Sequence, residues 1–186
     1  MTDNSAATFV ISWRRLGGPV YELKLLSKDG IPGALAKGER YRLLGQPWEA
    51  ENIYLDILEV EPRSQAALVG LVLALTDQFG QSRSATVARA REAVARISDE
   101  YEHTYYSGII CERRARALLD QAHPGGDGAA YEQLREAMRC YDQAESARPS
   151  GNDDAILRWN ACARLLRDHP ELMRAVEQRQ EPYVDH

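Results

Sequence analysis

The side chains able to do acid–base, redox or metal chemistry are few and scattered along this sequence. Four histidines, His103, His123, His169 and His186, fall at a helix start, in a loop, at a helix end and at the terminus. Proton transfer or metal ligation needs several polar groups converging on one place, and no HExxH or CxxC spacing gathers them. His103, Cys111 and Glu112 come nearest to a ligand set, but i, i+8 and i+9 do not share one helical face. No catalytic residue, metal site or cofactor is therefore expected. Gly125-Gly126-Asp127-Gly128 lacks the following Lys-Ser/Thr and the preceding strand of a phosphate loop. It reads as a turn, with Asp127 able to cap the next helix.

Charge is the next source of chemistry. Arg83, Arg89, Arg91 and Arg96 face only Glu92 across one segment, and Arg113, Arg114 and Arg116 form a second basic cluster. Either could in principle hold phosphate. Aromatic interleaving is missing, however, and the whole chain carries a formal charge of −5, which gives no electrostatic reason to expect nucleic acid or an anionic membrane. The favoured expectation is solvated helix faces salt-bridged to nearby Glu and Asp, with the arginines available to an acidic partner. Cys111, Cys140 and Cys162 are an odd number at wide spacing, as expected of small core fillers in a reducing cytoplasm rather than of a disulfide framework.

The elements that would position these groups are helical. Hydrophobic content of 44% and charged content of 27% suit a folded chain, long enough for one domain or a short solenoid. The first thirty residues lack the basic and apolar regions of a signal peptide, and the most apolar run, Ala66–Leu75, is about half a membrane span and reads as a buried helix. Residues 1–29 are expected to be a leader, with residues 1–7 disordered and a β-hairpin of Phe9–Trp13 and Val20–Leu26 as one option. From Ile31 the pattern turns helical, with Pro32 in a first turn and Leu35, Tyr41 and Leu44 among the apolar positions. Pro47 starts a second helix, lined by Trp48, Ala50, Asn52, Tyr54, Leu55, Ile57 and Leu58. A second hairpin runs over Gln65–Phe79 and Ala85–Ile97, and a third over Tyr101–Gln121 and Ala129 onward. Asp154–His169 follows as a single helix with a stripe of Ile156, Trp159, Ala163 and Leu166. Residues 170–186 are expected as a tail, with Leu172–Arg179 adding a short turn of helix.

An internal ruler connects these elements. Gly38, Tyr41, Ala50, Tyr54 and Pro62 give small and aromatic positions at fixed offsets, and Ala137, Tyr141 and Pro149 repeat the spacing of the last three. Gly108, with Cys111 in the Tyr41 slot, stands where Gly38 stood. Gly38 and Ala50 are 12 residues apart, whereas Gly108 and Ala137 are 29 apart, so the third hairpin carries an extra 17 residues. It is expected to project beyond the other two. With these landmarks residues 30–169 resemble the tetratricopeptide repeat (TPR), a helix–turn–helix unit that stacks on its neighbours. Ala34 and Lys37 replace its usual Trp and Leu. GERYRLLGQPWEAENIYLDILEVEP, ALTDQF and NDDAILRWNACARLL are similar to segments of small bacterial TPR proteins, over Ile31–Leu166.

The resemblance implies an all-α, TPR-like right-handed superhelix of three helical hairpins plus a C-terminal capping helix. It also implies a groove lined by the first helix of each pair. Leu35, Glu39 and Arg42 would face that groove from the first pair, Val69, Leu73 and Asp77 from the second, and Tyr105, Ile109 and Glu112 from the third. The alternative for each apolar position is packing inside the superhelix. One TPR subtype clamps a C-terminal carboxylate with Lys, Asn and Arg at fixed positions. Leu35, Glu39 and Gly70 occupy three of those here, which argues against that subtype. The expected function is a protein interaction scaffold that takes a peptide or helix of another protein in the groove. The alternatives are a secretion- or assembly-type chaperone and, in another class, a small helical enzyme or nucleic-acid binder using the arginine clusters. Self-association into a homo-oligomer is left open.

Overall fold

A computed structural model describes residues 22–80, 85–121 and 125–180. Among the described residues the chain is all-helical, with eight α-helices, a single 3-10 turn at Lys28–Gly30 and no strand. The helices are α1 (Ile31–Leu43), α2 (Pro47–Val60), α3 (Gln65–Thr76), α4 (Ala85–Val94), α5 (Glu100–Asp120), α6 (Gly126–Ser146), α7 (Asp154–Asp168) and α8 (Glu171–Gln180). The first half of the optional N-terminal hairpin lies outside the described residues. Residues 22–26, the described part of its second half, have no regular structure, and Leu23 and Leu25 are exposed.

Local chemistry sets the boundaries. α1 stops in a two-bond cap in which Gln46 N–H donates to the Tyr41 carbonyl at 2.9 Å and Gly45 N–H to that of Arg42 at 3.0 Å. This geometry needs a left-handed residue, and Gly45 supplies it at φ 71°. Pro47 then opens α2 where its missing N–H costs nothing. At the start of α5 the Asp99 carboxylate accepts from Glu102 N–H at 2.8 Å and satisfies one of the orphan donors.

Each helix packs on the next along the chain through α1–α7, and α1 meets α3 as α3 meets α5. α3 is buried on almost every side, as a helix apolar all round between Gln65 and Thr76 must be. α5 divides two cores. Ile110 and Ala117 face the α1–α4 side, while Ile109, Cys111 and Ala115 join Leu134, Tyr141 and Cys162 on the α6–α8 side. α5 and α6 are antiparallel, since Gly126 at the start of α6 sits against Leu118 near the end of α5 while Gly108 meets Tyr141. Both helices have 21 residues, against 13 and 14 in α1 and α2, so the extra length of the third hairpin is real.

In the expected tail, the short turn of helix over Leu172–Arg179 is a ten-residue helix, α8, which packs on α6 and buries Leu172. Leu44, Trp48 and Leu55, expected to line α1 and α2, are exposed, and beside them Leu43 is 82% exposed. They lie on the side of this pair that no other described helix covers. The stripe of α7 is half-buried, and its fully buried positions are Ala155 and Cys162.

Helix spacing is set by tyrosine rings resting on glycines. The Tyr54 ring lies between Gly38 of α1 and Gly70 of α3, and the Tyr141 ring lies on Gly108 of α5. A Cβ at Gly38 would stand 2.8 Å from the Tyr54 ring, one at Gly108 would stand 2.6 Å from Tyr141, and one at Gly70 would be closer still. Neither ring can retreat, because both tyrosines are buried. Gly70→Ala and Gly108→Ala are therefore each expected to destabilise the fold by about 1–3 kcal/mol through overpacking. Gly33, also helical, has nothing within 4 Å of an added Cβ, so Gly33→Ala should stabilise by about 0.5–1 kcal/mol through helix propensity. Urea denaturation of the three variants checks both signs.

Candidate partner-binding face

Two ionic clusters cross the helices that carry the expected groove residues. In the first, Arg42 of α1 donates from Nε to Asp77 Oδ2 at 2.9 Å, at the end of α3. The other oxygen of Asp77 accepts from Arg113 of α5. Arg113 also donates to Thr76 Oγ1 at 2.7 Å and to the Leu73 carbonyl at 3.3 Å, and so caps the C-terminal end of α3. One carboxylate thus ties three helices together through two guanidiniums.

The second cluster centres on Glu112 of α5, whose side chain is 1% exposed. A carboxylate without water must find its donors in the protein. Tyr141 O–H of α6 donates to Oε2 at 2.8 Å. Arg116 donates from Nε and Nη2 to Oε1, each at 3.2 Å, and Arg158 of α7 donates from Nη1 at 3.4 Å. Burial, and after it the Glu112 charge, pushes the Tyr141 phenol far above its ordinary value, so it stays a donor. Tyr105 is the hub of an aromatic cluster, stacked on Tyr101 at 5.7 Å and edge-on to Tyr106 at 5.1 Å. Its ring centre lies 5.9 Å from that of Tyr141. Burial, followed by Glu102, raises the Tyr106 phenol to about 12.

The expected groove residues divide accordingly. Glu39 is exposed, and Leu35, Val69, Leu73 and Tyr105 are half-buried against the cores. Arg42 and Asp77 are brought together as partners of each other. Ile109 and Glu112 require correction, since each is 1% exposed and neither faces a groove. α6 and α7 close over that side of α5, filling the space around Ile109 with apolar side chains and the space around Glu112 with Tyr141 and Arg158, beside Arg116 of α5 itself. Arg113, read in the sequence only as part of a basic cluster, lies beside them, as do Arg158 and Tyr106, which were not read as groove residues. Arg113 had a visible signal, because Arg42, Asp77 and Arg113 follow one another at 35 and 36 residues, about one repeat each. The salt-bridge expectation for the arginine clusters holds for Arg89 with Glu51, Arg113 with Asp77 and Arg116 with Glu112, while Arg83 lies outside the described residues.

Glu112→Gln should cost about 2–3 kcal/mol, because the arginines keep their charge and lose the counter-charge that they surround. Tyr141→Phe should cost about 1–2 kcal/mol by removing one donor from a buried acceptor. Thermal and urea unfolding of the two variants and their double mutant would read the coupling.

A pH effect follows from the same core. Burial, then Glu112, raises the Cys162 thiol from 9.0 to about 12, and burial raises Cys140 from 9.0 to about 11. The unfolded chain releases these protons first, so the stability they contribute is full below about pH 9 and is lost as pH rises towards 11–12. The melting temperature should fall across that window, and Cys162→Ala should flatten the decline.

No described helix is long and apolar enough to cross a membrane. Among the described residues no three His, Cys, Asp or Glu side chains are placed to hold a metal ion. Compared with known proteins, the chain matches no protein-family model, no curated protein and no solved structure.

Proposed function

We propose that this protein is an interaction scaffold built as a TPR-like right-handed superhelix, which holds a peptide or helix of a partner protein against α1, α3, α5 and α7. The observation that carries the proposal is the strip of half-exposed side chains on those four helices, the first three of its charged residues 35 and 36 residues apart. It runs from Arg42 through Asp77 and Arg113 to Arg158, with Leu35, Val69, Leu73 and Tyr105 beside it. Alternating apolar and charged positions on a surface held rigid by packed helices suit an extended segment or an amphipathic helix. Tyrosine and arginine dominate the third-hairpin end of the strip, and both residue types carry much of the energy at protein interfaces. The scaffold accounts for the paired Gly–Tyr landmarks as well, because they serve to stack one hairpin on the next.

Affinity capture from a cell extract, with wild type and two variants, tests the scaffold. Arg158→Gln alters the strip, whereas Arg139→Gln alters an exposed pair with Glu136 on the opposite helix of the third hairpin. One stoichiometric protein that is lost only with the strip variant is the expected result. Recovery of nucleic acid alone with a steep salt dependence would sink the scaffold, and a partner lost only with Arg139→Gln would move the site to α6.

A further inference from the structure

The first hairpin carries apolar surface that no described helix covers. A cleft of about 500 Å³ lies between α1 and α2, lined by Leu26, Gly33, Ala34 and Ile53 and by one base and one acid, Lys37 and Asp56. These two charges balance, so the lining selects an occupant by apolar contact. Leu26, Ala34 and Ile53 pack on the α1–α4 core from this side yet are only half-buried. Gly33 keeps the cleft open, since nothing lies within 4 Å of a Cβ added there, although glycine inside a helix costs stability.

The cleft adjoins a second uncovered surface. Leu26 belongs to the non-helical residues 22–26, and just upstream of it Leu23 and Leu25 are 81% and 71% exposed. Neighbouring apolar surfaces of this kind mark a contact site. The sequence just upstream, outside the described residues, holds a matching piece, Phe9-Val10-Ile11-Ser12-Trp13. In an extended chain Phe9, Ile11 and Trp13 share one face. The eight residues between Trp13 and Glu22 include Gly17, Gly18 and Pro19, which suit a reversal. Fully extended they span about 26 Å, more than the roughly 20 Å length of α1.

From these surfaces we infer that Phe9–Trp13 of this same chain docks in the cleft between α1 and α2, placing its apolar face on Ala34 and Ile53 beside Leu26. A link of eight residues holds that segment at an effective concentration in the millimolar range, which favours it over a second copy of the chain. Gly33 and Lys37 lie on a different face of α1 from Leu35, Glu39 and Arg42. The docked segment therefore leaves the proposed partner strip open, and the inference stands or falls apart from the scaffold.

Limited trypsin digestion of the full-length protein tests the docking, with cleavage after Arg14 and Arg15 followed by mass spectrometry. A docked segment is cut only when it opens, so the wild-type rate should be about tenfold or more below that of two variants. Gly33→Glu puts a charge in the cleft and pairs with Lys37 at i,i+4, which preserves α1. Phe9→Ser combined with Ile11→Ser removes the apolar face at a distance from the cut bonds, and it carries the test if circular dichroism shows Gly33→Glu unfolded. The wild-type rate should also be unchanged by dilution of the protein. Equal rates in wild type and both variants would overturn the docking, as would protection that a folded Gly33→Glu leaves intact, which would seat the segment elsewhere. Protection lost on dilution would overturn it too, and give the cleft to a second copy.

Discussion

The close approach of helices over a tyrosine ring is the contact on which the rest of this structure depends. Tyr54 occupies the space left by two missing side chains, Gly38 and Gly70, and in doing so fixes how near α1 and α3 stand to α2. Tyr141 does the same over Gly108. An aromatic ring buried in this way contributes a large apolar area, but its more consequential effect is geometric. Interiors are packed at crystal density, so a ring of fixed size between two backbones sets their separation. With α1 and α3 held at that separation, Arg42 reaches Asp77 across it.

The two tyrosines have different surroundings at the residue four positions after the glycine. Four residues after Gly38 stands Arg42, and four after Gly108 stands Glu112. Arg42 lies near the open side of its helix and opposes the burial that raises the Tyr54 phenol. Glu112 is enclosed by α6 and α7, and there the phenol becomes its donor. An enclosed carboxylate is costly unless several donors converge on it, and this one has a tyrosine and two arginines. The arginines spend their exposed surface on solvent, which limits the cost, while the anion spends none. Glu112 is thus the tie between the third hairpin and α7, in the way that Asp77 is the tie among α1, α3 and α5.

What was legible in the sequence follows from the range of each interaction. Helix starts were readable at Pro32 and Pro47 because caps and turns are decided within a few residues. The pairing of Gly38 with Tyr54 was readable because small and aromatic residues leave a spacing that recurs at Gly108 and Tyr141. The burial of Glu112 was not. A charged residue reads as solvated by type, and its partners Tyr141 and Arg158 lie 29 and 46 residues away. Ile109 failed for a related reason: counting positions from Gly38 gives the direction of a side chain about its own helix axis, but not which later helix fills that direction. α5 has neighbours on both sides, so the face that would be open in a shorter array is closed here by α6 and α7.

The fate of the C-terminal residues comes from the length of the third hairpin. At 1.5 Å per residue, α5 and α6 extend about 10 Å beyond what helices the size of α1 and α2 would reach. A bare extension would leave apolar side chains on α6 facing water, and α7, starting beside the Tyr101 end of α5, is too short to cover them all. α8 resolves this. His169 and Pro170 break the chain after α7, and Leu172 then enters the core cluster that contains Leu134 and Tyr141. Leu172 meets Arg116, Leu119 and Asp127 around a cleft of about 450 Å³ at the far end of the hairpin. α8 thus covers part of the extra length of α6, as a cap covers the last repeat of a solenoid. The helix that appeared to be a tail is part of the third hairpin's packing.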